Sequence, residues 1–189
     1  FLDVDLRLES KMTPDERRND IAARLENAFS VNGFTQPNVA TLKEQTGTTL
    51  KTLYKYFPSK EDMIIGALTH RHQRYLSFLA ADCPDDLKSA VKHVFSRLAL
   101  WLAQYAPNGC MSLQALSSYP NYTQITTAVN AHKADVRQWL YDLTQSESLS
   151  SSLFIMHEGM SAAWPTMGEQ ALTTTQAMLD QTLIKHGLS

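Results

Sequence analysis

Two short amphipathic segments joined by a glycine constrain this chain more than any other stretch. They lie between Val39 and Met63, and Gly47 stands at their junction. Gly47 can adopt the positive φ that a tight turn needs, because it has no Cβ to clash with the backbone. Thr48 or Thr49 can then cap the segment that follows. The pattern predicts two short helices that meet at a tight turn, which is a helix-turn-helix.

Capping signals mark a further helix on each side of this stretch. Thr13-Pro14-Asp15-Glu16 combines an N-cap threonine, a proline at the first helical position and a glutamate at the third. Asn32-Gly33 is expected to end that helix with a left-handed C-cap. Phe57-Pro58 stops the second short helix, and Ser59 can cap a fourth helix that runs to about Ala81.

The rest of the chain continues the helical pattern. Apolar residues recur at helical spacing in five segments, 84–106, 110–118, 122–143, 149–164 and 169–186. Only seven glycines and seven prolines occur, which favours helices over a turn-rich β fold. We predict an all-α fold of about nine helices. An N-terminal three-helix helix-turn-helix head, residues 13–62, joins a C-terminal helical-bundle body, residues 63–189. Residues 1–12 are interpreted as an upstream arm, an expression remnant or a mis-set start.

Charge is unevenly distributed along the chain. The net charge is -2, so no global basic field indicates a nucleic-acid partner. The segment from Ala40 to Lys60, however, contains four lysines and a single glutamate. A local basic patch on an acidic protein favours selective DNA contact over bulk coating. No apolar run is long enough to cross a membrane and no signal peptide is visible, so we expect a cytoplasmic protein without a membrane partner.

Catalytic and metal-binding signatures are missing from the sequence. Cys83 and Cys110 have no metal-ligand spacing, and reduced thiols are the simpler interpretation, although a redox role stays open. The six histidines form no metal-binding pair. There is no Gly-rich phosphate loop, nucleophile elbow or Cys-His signature. We therefore expect no enzyme, no metal site, no catalytic residue and no cofactor.

The ordered residues of the head resemble those of the TetR family of transcriptional regulators, of the TetR/AcrR-like kind. The resemblance covers roughly a quarter of the chain, from about Arg17 to Met63. It depends on these residues in order: Asn32-Gly33-Phe34, Gly47, Thr52-Leu53-Tyr54, Tyr56-Phe57 and Ser59-Lys60-Glu61. Lys43 departs from the family's usual alanine, and Thr48 from its usual valine.

The resemblance implies that the helix from about Thr48 to Tyr54 enters the major groove of an operator. Lys51 would reach a guanine edge or a phosphate, and short threonines would contact phosphates or a thymine methyl. Lys60, at a helix N-terminus, would bind another phosphate. The expected DNA-binding residues are Asn38, Thr48, Thr49, Lys51, Thr52, Tyr54, Lys55 and Lys60. The alternative is a helical hairpin with a solvated charged face.

The resemblance also places a homodimer interface on the last two helices, as a four-helix bundle across a two-fold axis. Leu172, Leu179 and Leu183 form a stripe on the last helix, although such a stripe can equally belong to an intramolecular core. A ligand pocket is expected among the middle helices, where each candidate residue could instead be ordinary core. The candidates are Trp101, Tyr105, Met111, Gln114, Tyr119, Trp139, His157 and Trp164.

These expectations combine into one functional hypothesis. The chain is predicted to be a homodimeric repressor that binds a palindromic double-stranded DNA operator and is released from it by a small-molecule effector. Two alternatives stay open. One is a DNA-bound dimer without an effector, and the other is a helical-bundle enzyme that uses the aromatic pocket.

Overall fold

The computed structural model describes residues 12–188, and this part of the chain is built from helices without strands. The predicted arm at residues 1–12 lies, apart from Met12, outside the described residues. The helices are α1 (Pro14–Asn32), α2 (Val39–Thr46), α3 (Leu50–Tyr56), α4 (Lys60–Ala80), α5 (Leu87–Tyr105), α6 (Met111–Ser118), α7 (Thr123–Thr144), α8 (Glu147–Met167) and α9 (Glu169–Lys185). The all-α prediction is confirmed.

The chain divides into two compact units. Unit 1 contains the residues up to His72 together with Gln114–Ala128, and unit 2 contains Gln73–Leu113 together with the residues from Val129 onward. The predicted boundary between residues 62 and 63 therefore differs from the structural division. Helix α4 runs unbroken from Lys60 to Ala80 and therefore passes through both the predicted boundary and the structural division after His72.

The two ends of α1 follow local rules. The hydroxyl of Thr13 accepts the Glu16 amide at 3.2 Å, and the Glu16 carboxylate accepts the Thr13 amide at 2.7 Å, which completes the predicted capping box. Gly33 ends the helix with φ 70° and ψ −173°. Its φ is positive as expected, but this ψ lies outside the left-handed helical region, so the predicted left-handed C-cap is corrected. The rings of Phe29 and Phe34 stack across this end with centroids 5.2 Å apart.

A buried ionic cluster ties α1 to α4 within unit 1. The carboxylate of Glu26 lies 2.6 Å from His70 Nδ1 and 3.0 Å from Arg71 Nη1. The side chains of all three are at least 88% buried. Removing one partner from such a cluster leaves the others desolvated, which typically costs about 3–5 kcal/mol. The cluster therefore fixes the register of α4 on α1.

Unit 2 has its own apolar core. Phe95 and Leu98 of α5 are fully buried with Leu153 of α8 and with Leu179 and Leu183 of α9. The burial of Leu179 and Leu183 corrects the use we expected for the leucine stripe, because these side chains are satisfied inside their own chain. Any interface on α9 would have to use another face of the helix.

Gly66 provides a test of packing in unit 1. It is buried in α4, and a Cβ at this position would clash with the ring edge of Phe57. We predict that Gly66→Ala lowers the free energy of unfolding by about 1–3 kcal/mol, although alanine favours helices, because the ring cannot move freely in a packed core. Urea-induced unfolding measures the change. The matched control is Phe57→Leu with Gly66→Ala, which should lose less stability than the sum of the single variants. Strict additivity would contradict the clash.

Candidate nucleic-acid interface

The turn between α2 and α3 has the geometry of a helix-turn-helix. The side chain of Asn38 caps α2 by accepting the Thr41 amide at 2.9 Å. Gly47 then takes the left-handed conformation with φ 62° and ψ 25°, and its amide closes the helix on the Glu44 carbonyl. Thr49 caps α3 by accepting the Thr52 amide at 3.1 Å. These contacts set where α3 begins and confirm the predicted turn.

Arg24 joins this turn to α1. Its Nη1 donates to the carbonyl oxygen of Thr46, the last residue of α2, at 3.1 Å. The same guanidinium is paired with Asp20 at 3.0 Å, and it lies beside Gly47, where an added Cβ would be 3.6 Å away. Arg24 is thus a positioning residue for the turn. Sequence reasoning missed it because 22 residues separate the donor from the acceptor and no local pattern marks the pair.

The short helix α3 has one buried and one exposed side. Leu53 is fully buried and anchors the helix in the unit 1 core. On the other side Lys51 and Lys55 are exposed, Tyr54 is 46% exposed and Leu50 is 43% exposed. The exposed side therefore carries two cations, a phenol and an aliphatic side chain. This set can bind an anionic partner that also has apolar features.

Not every predicted contact residue has a free polar group. The Thr49 and Thr52 hydroxyls hydrogen-bond each other at 2.9 Å, besides the cap that Thr49 makes. The carbonyl oxygen of the Asn38 side chain is used in capping α2. Thr48 is half-buried. The structure thus places these residues around the turn and uses much of their hydrogen-bonding capacity locally.

The two remaining lysines lie at different places. Lys55 is exposed, with Nζ 5.2 Å from the ring centroid of Tyr56. Lys60 begins α4 and is half-buried, with Nζ 3.5 Å from the Thr35 carbonyl oxygen and 5.9 Å from the ring centroid of Tyr119. A phosphate at Lys60 would compete with weak, long contacts only. Five of the eight predicted residues lie on α3 or its cap, and Asn38, Thr48 and Lys60 flank them.

The predicted ligand residues fall in both units. Trp101, Tyr105, Met111, Trp139, His157 and Trp164 belong to unit 2, whereas Gln114 and Tyr119 belong to unit 1. The Trp101 ring contacts the rings of Tyr75 and Tyr105, with centroids 5.1 and 4.7 Å away. In unit 1 the Tyr119 hydroxyl donates to the Phe34 carbonyl oxygen at 3.2 Å. The pocket itself stays a prediction.

A chain of polar groups crosses unit 2 beside these rings. The Tyr75 hydroxyl contacts His157 Nε2, and His157 Nδ1 lies 3.0 Å from the Glu158 carboxylate. Lys133 Nζ lies 2.7 Å from both Glu158 oxygens and 3.7 Å from the Sγ atom of Cys110. A carboxylate can only accept, so Nδ1 carries the proton and Nε2 accepts the phenol proton. One tautomer of His157 satisfies both neighbours.

Burial and neighbouring charges set the protonation states of Tyr75, His157 and Glu158. Burial lowers the pKa of His157 despite the opposing effect of Glu158, so the imidazole is neutral at pH 7. Burial likewise raises the pKa of Tyr75 well above its ordinary value. For Glu158, burial raises the pKa, but hydrogen bonds from His157 and Lys133 and the lysine charge outweigh it and hold the pKa at about 2. The carboxylate is therefore ionised under all ordinary conditions.

A polar groove of about 450 Å³ lies between α7 and α8. None of the predicted ligand residues lines it. The lining side chains are Ala134, Arg137, Gln138, Tyr141, Glu147, Ser150 and Ser151. We expected a pocket lined by large apolar groups, and this groove is of a different kind.

Residues 12–188 show neither a metal-binding cluster nor a membrane-spanning helix. They contain no group of three or more histidine, cysteine, aspartate or glutamate side chains placed to hold a metal ion. No helix in the same range combines the length and apolar character that crossing a bilayer requires.

The fold was compared with known proteins. No family model matches the chain, and no curated protein matches it. Solved structures do. A TetR-family transcriptional regulator from Streptomyces coelicolor superposes with a TM-score of 0.78 and 19% sequence identity, over 90% of this chain and 96% of the other. The chain has the TetR-family fold.

Other structures agree with this assignment. A TetR-family regulator from Cytophaga hutchinsonii gives a TM-score of 0.73 at 15% identity, over 93% of this chain and 97% of its own. One from Agrobacterium tumefaciens gives 0.70 at 16% identity, over 89% and 98%. The resemblance first seen between Arg17 and Met63 is therefore confirmed, and the TetR fold extends it through the body.

The ion pair of Glu158 predicts a pH-dependent contribution to stability. The folded pKa is about 2, below the ordinary value of 4.5, so the contribution is fully present above pH 4.5 and is lost as the pH falls towards 2. Glu158→Gln should lower the free energy of unfolding by about 2–3 kcal/mol at pH 7. The difference from wild type should shrink below pH 4.5 in urea unfolding curves.

The control for this prediction is an exposed ion pair in the same unit. Lys92 and Asp180 are 2.7 Å apart, with side chains 46% and 54% exposed. Asp180→Asn should change the free energy of unfolding by less than about 1 kcal/mol, because water screens the pair. A Glu158→Gln difference that stays constant with pH would contradict the assigned ionisation.

Proposed function

We propose that this chain is a DNA-binding transcriptional regulator of the TetR family, and that it acts in the cytoplasm as a homodimeric repressor on a palindromic operator. The observation that carries the proposal is the exposed side of α3, which the Gly47 turn and buried Leu53 hold outward. A short helix after a tight turn, with its exposed side free, is how helix-turn-helix proteins read the major groove. The TetR fold, which covers 90% of the chain, supports the same interpretation.

Charge supports a local DNA contact. The whole chain has a net charge of -2, yet the segment from Ala40 to Lys60 contains four lysines and one glutamate. Lys51 would reach a base edge or a phosphate, while Tyr54, Lys55 and Lys60 would bind phosphates. Phosphate contacts give affinity that falls with salt for every sequence, whereas base contacts give preference for one sequence.

Three substitutions test which residues contact phosphates and which contact bases. We predict that Tyr54→Phe and Lys60→Ala weaken binding to all duplexes, with Lys60→Ala reducing the salt slope by about one. Lys51→Ala should reduce discrimination between the preferred duplex and others by about 1–3 kcal/mol, because the preferred duplex loses a base contact. The preferred duplex is first selected from a random-sequence pool, and affinities are then measured by fluorescence anisotropy at two salt concentrations.

The control variant is Lys185→Ala, which removes an exposed lysine at the end of α9. It should bind DNA like wild type. If Tyr54→Phe, Lys60→Ala and Lys51→Ala all bound like wild type as well, the docking of α3 would be wrong.

Exposed apolar residues on the last two helices support the homodimer. Ile155 of α8 is 70% exposed, and Gly159 and Ala162 follow it on the same exposed stripe. On α9, Met178 is 50% and Ile184 is 64% exposed. Small residues beside large apolar ones allow close helix packing. A two-fold interface here would space two copies of α3 for two half-sites.

One charged substitution tests the interface. We predict that Ile155→Glu weakens dimerisation at least about tenfold, because it would bury a carboxylate without a partner. Folding should survive, since the side chain is mostly exposed within its own chain. Sedimentation equilibrium measures the dimer, and circular dichroism measures the fold. Leu100→Glu is the matched control, since Leu100 is 55% exposed on α5 and lies outside the proposed interface. Equal effects of the two variants would argue against α8.

The effector belongs to the same proposal. Unit 2 collects aromatic rings around Trp101 and a polar chain through His157 and Glu158, which suits a small molecule with apolar and polar parts. Such a molecule would release the operator only if it bound one arrangement of the body more tightly than the other.

A further inference from the structure

Leu50 is a large aliphatic residue that the fold does not use as core. It is the first residue of α3 and is 43% exposed, whereas Leu53 of the same helix is fully buried. A single exposed leucine is ordinary on a protein surface and carries no meaning alone. The position of Leu50 on α3 is what makes its exposure informative. It stands on the exposed side of the helix that the turn holds outward, beside Lys51 and one helical turn before Tyr54.

The neighbouring threonines leave Leu50 prominent. The Thr49 hydroxyl caps α3 by accepting the Thr52 amide, and the two hydroxyls hydrogen-bond each other at 2.9 Å. Much of their hydrogen-bonding capacity is therefore used within the first turn, and one hydroxyl hydrogen of the pair stays available. The longest side chains that this turn exposes are the aliphatic side chain of Leu50 and the amine-bearing side chain of Lys51. The DNA contacts expected of Thr49 and Thr52 stay predictions.

The chemistry of the major groove selects a partner for an aliphatic side chain. Guanine, cytosine and adenine present hydrogen-bonding groups there, and thymine presents its C5 methyl group beside O4. Leucine against a donor or acceptor would desolvate it without replacing its hydrogen bond with water. Against the thymine methyl it removes apolar surface from water at no such cost.

We propose that Leu50 is a specificity-determining residue that selects a thymine in each half-site by contact with the C5 methyl group. This inference rests on the proposed function and deepens it. Lys51 supplies the adjoining charge, so a thymine next to a guanine or to a phosphate contact suits the pair of side chains. Leu50 also excludes other bases at that position by leaving their polar edges unsatisfied.

Deoxyuridine provides the test because it lacks only the C5 methyl group. The probe is the duplex that wild-type protein selects from a random-sequence pool, remade with each thymine of a half-site, and its symmetry mate, replaced in turn. One replacement should weaken wild-type binding by about fourfold per half-site, the value of one buried methyl. Leu50→Ala should bind the thymine and deoxyuridine duplexes equally at that position.

The matched control is Val31→Ala. Val31 is 75% exposed on α1 of the same unit, so this variant removes an exposed apolar side chain away from α3 and should keep the full sensitivity to deoxyuridine. Leu50→Ala should fold normally, since alanine favours helices and the side chain is exposed. Thermal unfolding checks this.

The outcomes separate this inference from the proposed function. If the wild-type protein selects a duplex but no deoxyuridine replacement weakens binding, Leu50 does not read a methyl group and the inference fails alone. The same holds if Leu50→Ala keeps the wild-type sensitivity. If no sequence is selected from the pool, the proposed function fails and the inference fails with it.

Discussion

The left-handed turn at Gly47 is the constraint on which the exposed side of α3 depends. At φ 62° and ψ 25° a residue with a Cβ is strained by about 1 kcal/mol or more, so glycine holds the turn at the least cost. The Arg24 guanidinium binds the carbonyl oxygen of Thr46 just before it and thereby ties the turn to α1. Once the start of α3 is fixed, burial of Leu53 decides which side chains face outward.

Much of the head could be predicted because its signals are local. The capping residues Thr13, Asn38 and Thr49 each bind an amide three positions along the chain, so donor and acceptor are both visible in a short window of sequence. Gly47 marks its own backbone conformation. For the same reason the predicted bounds of the helices differ from the observed ones by three residues or fewer.

What could not be predicted depends on distant partners. Arg24 finds the Thr46 carbonyl 22 residues away, and Glu26 finds His70 44 residues away. The leucine stripe of α9 was visible in the sequence, yet Leu179 and Leu183 are buried in their own chain. A periodic apolar stripe indicates that a helix packs against another apolar surface, but it does not indicate whether that surface belongs to the same chain or to a second copy. The hydrogen bond between the Thr49 and Thr52 hydroxyls could not be predicted either, because it depends on both side-chain conformations.

The polar chain in unit 2 constrains the body differently from its apolar core. An apolar core is held by many weak dispersion contacts, none of which depends on one particular donor or acceptor. The hydrogen bonds of the polar chain are different. They link Tyr75 to His157, His157 to Glu158 and Glu158 to Lys133, and each needs its donor and acceptor at a particular distance and angle. A shift that broke one link would leave the next buried group without its hydrogen bond, at about 1–3 kcal/mol. Breaking a link is therefore unfavourable unless the freed group finds another hydrogen-bond partner, and the cost is greatest at the buried side chain of His157.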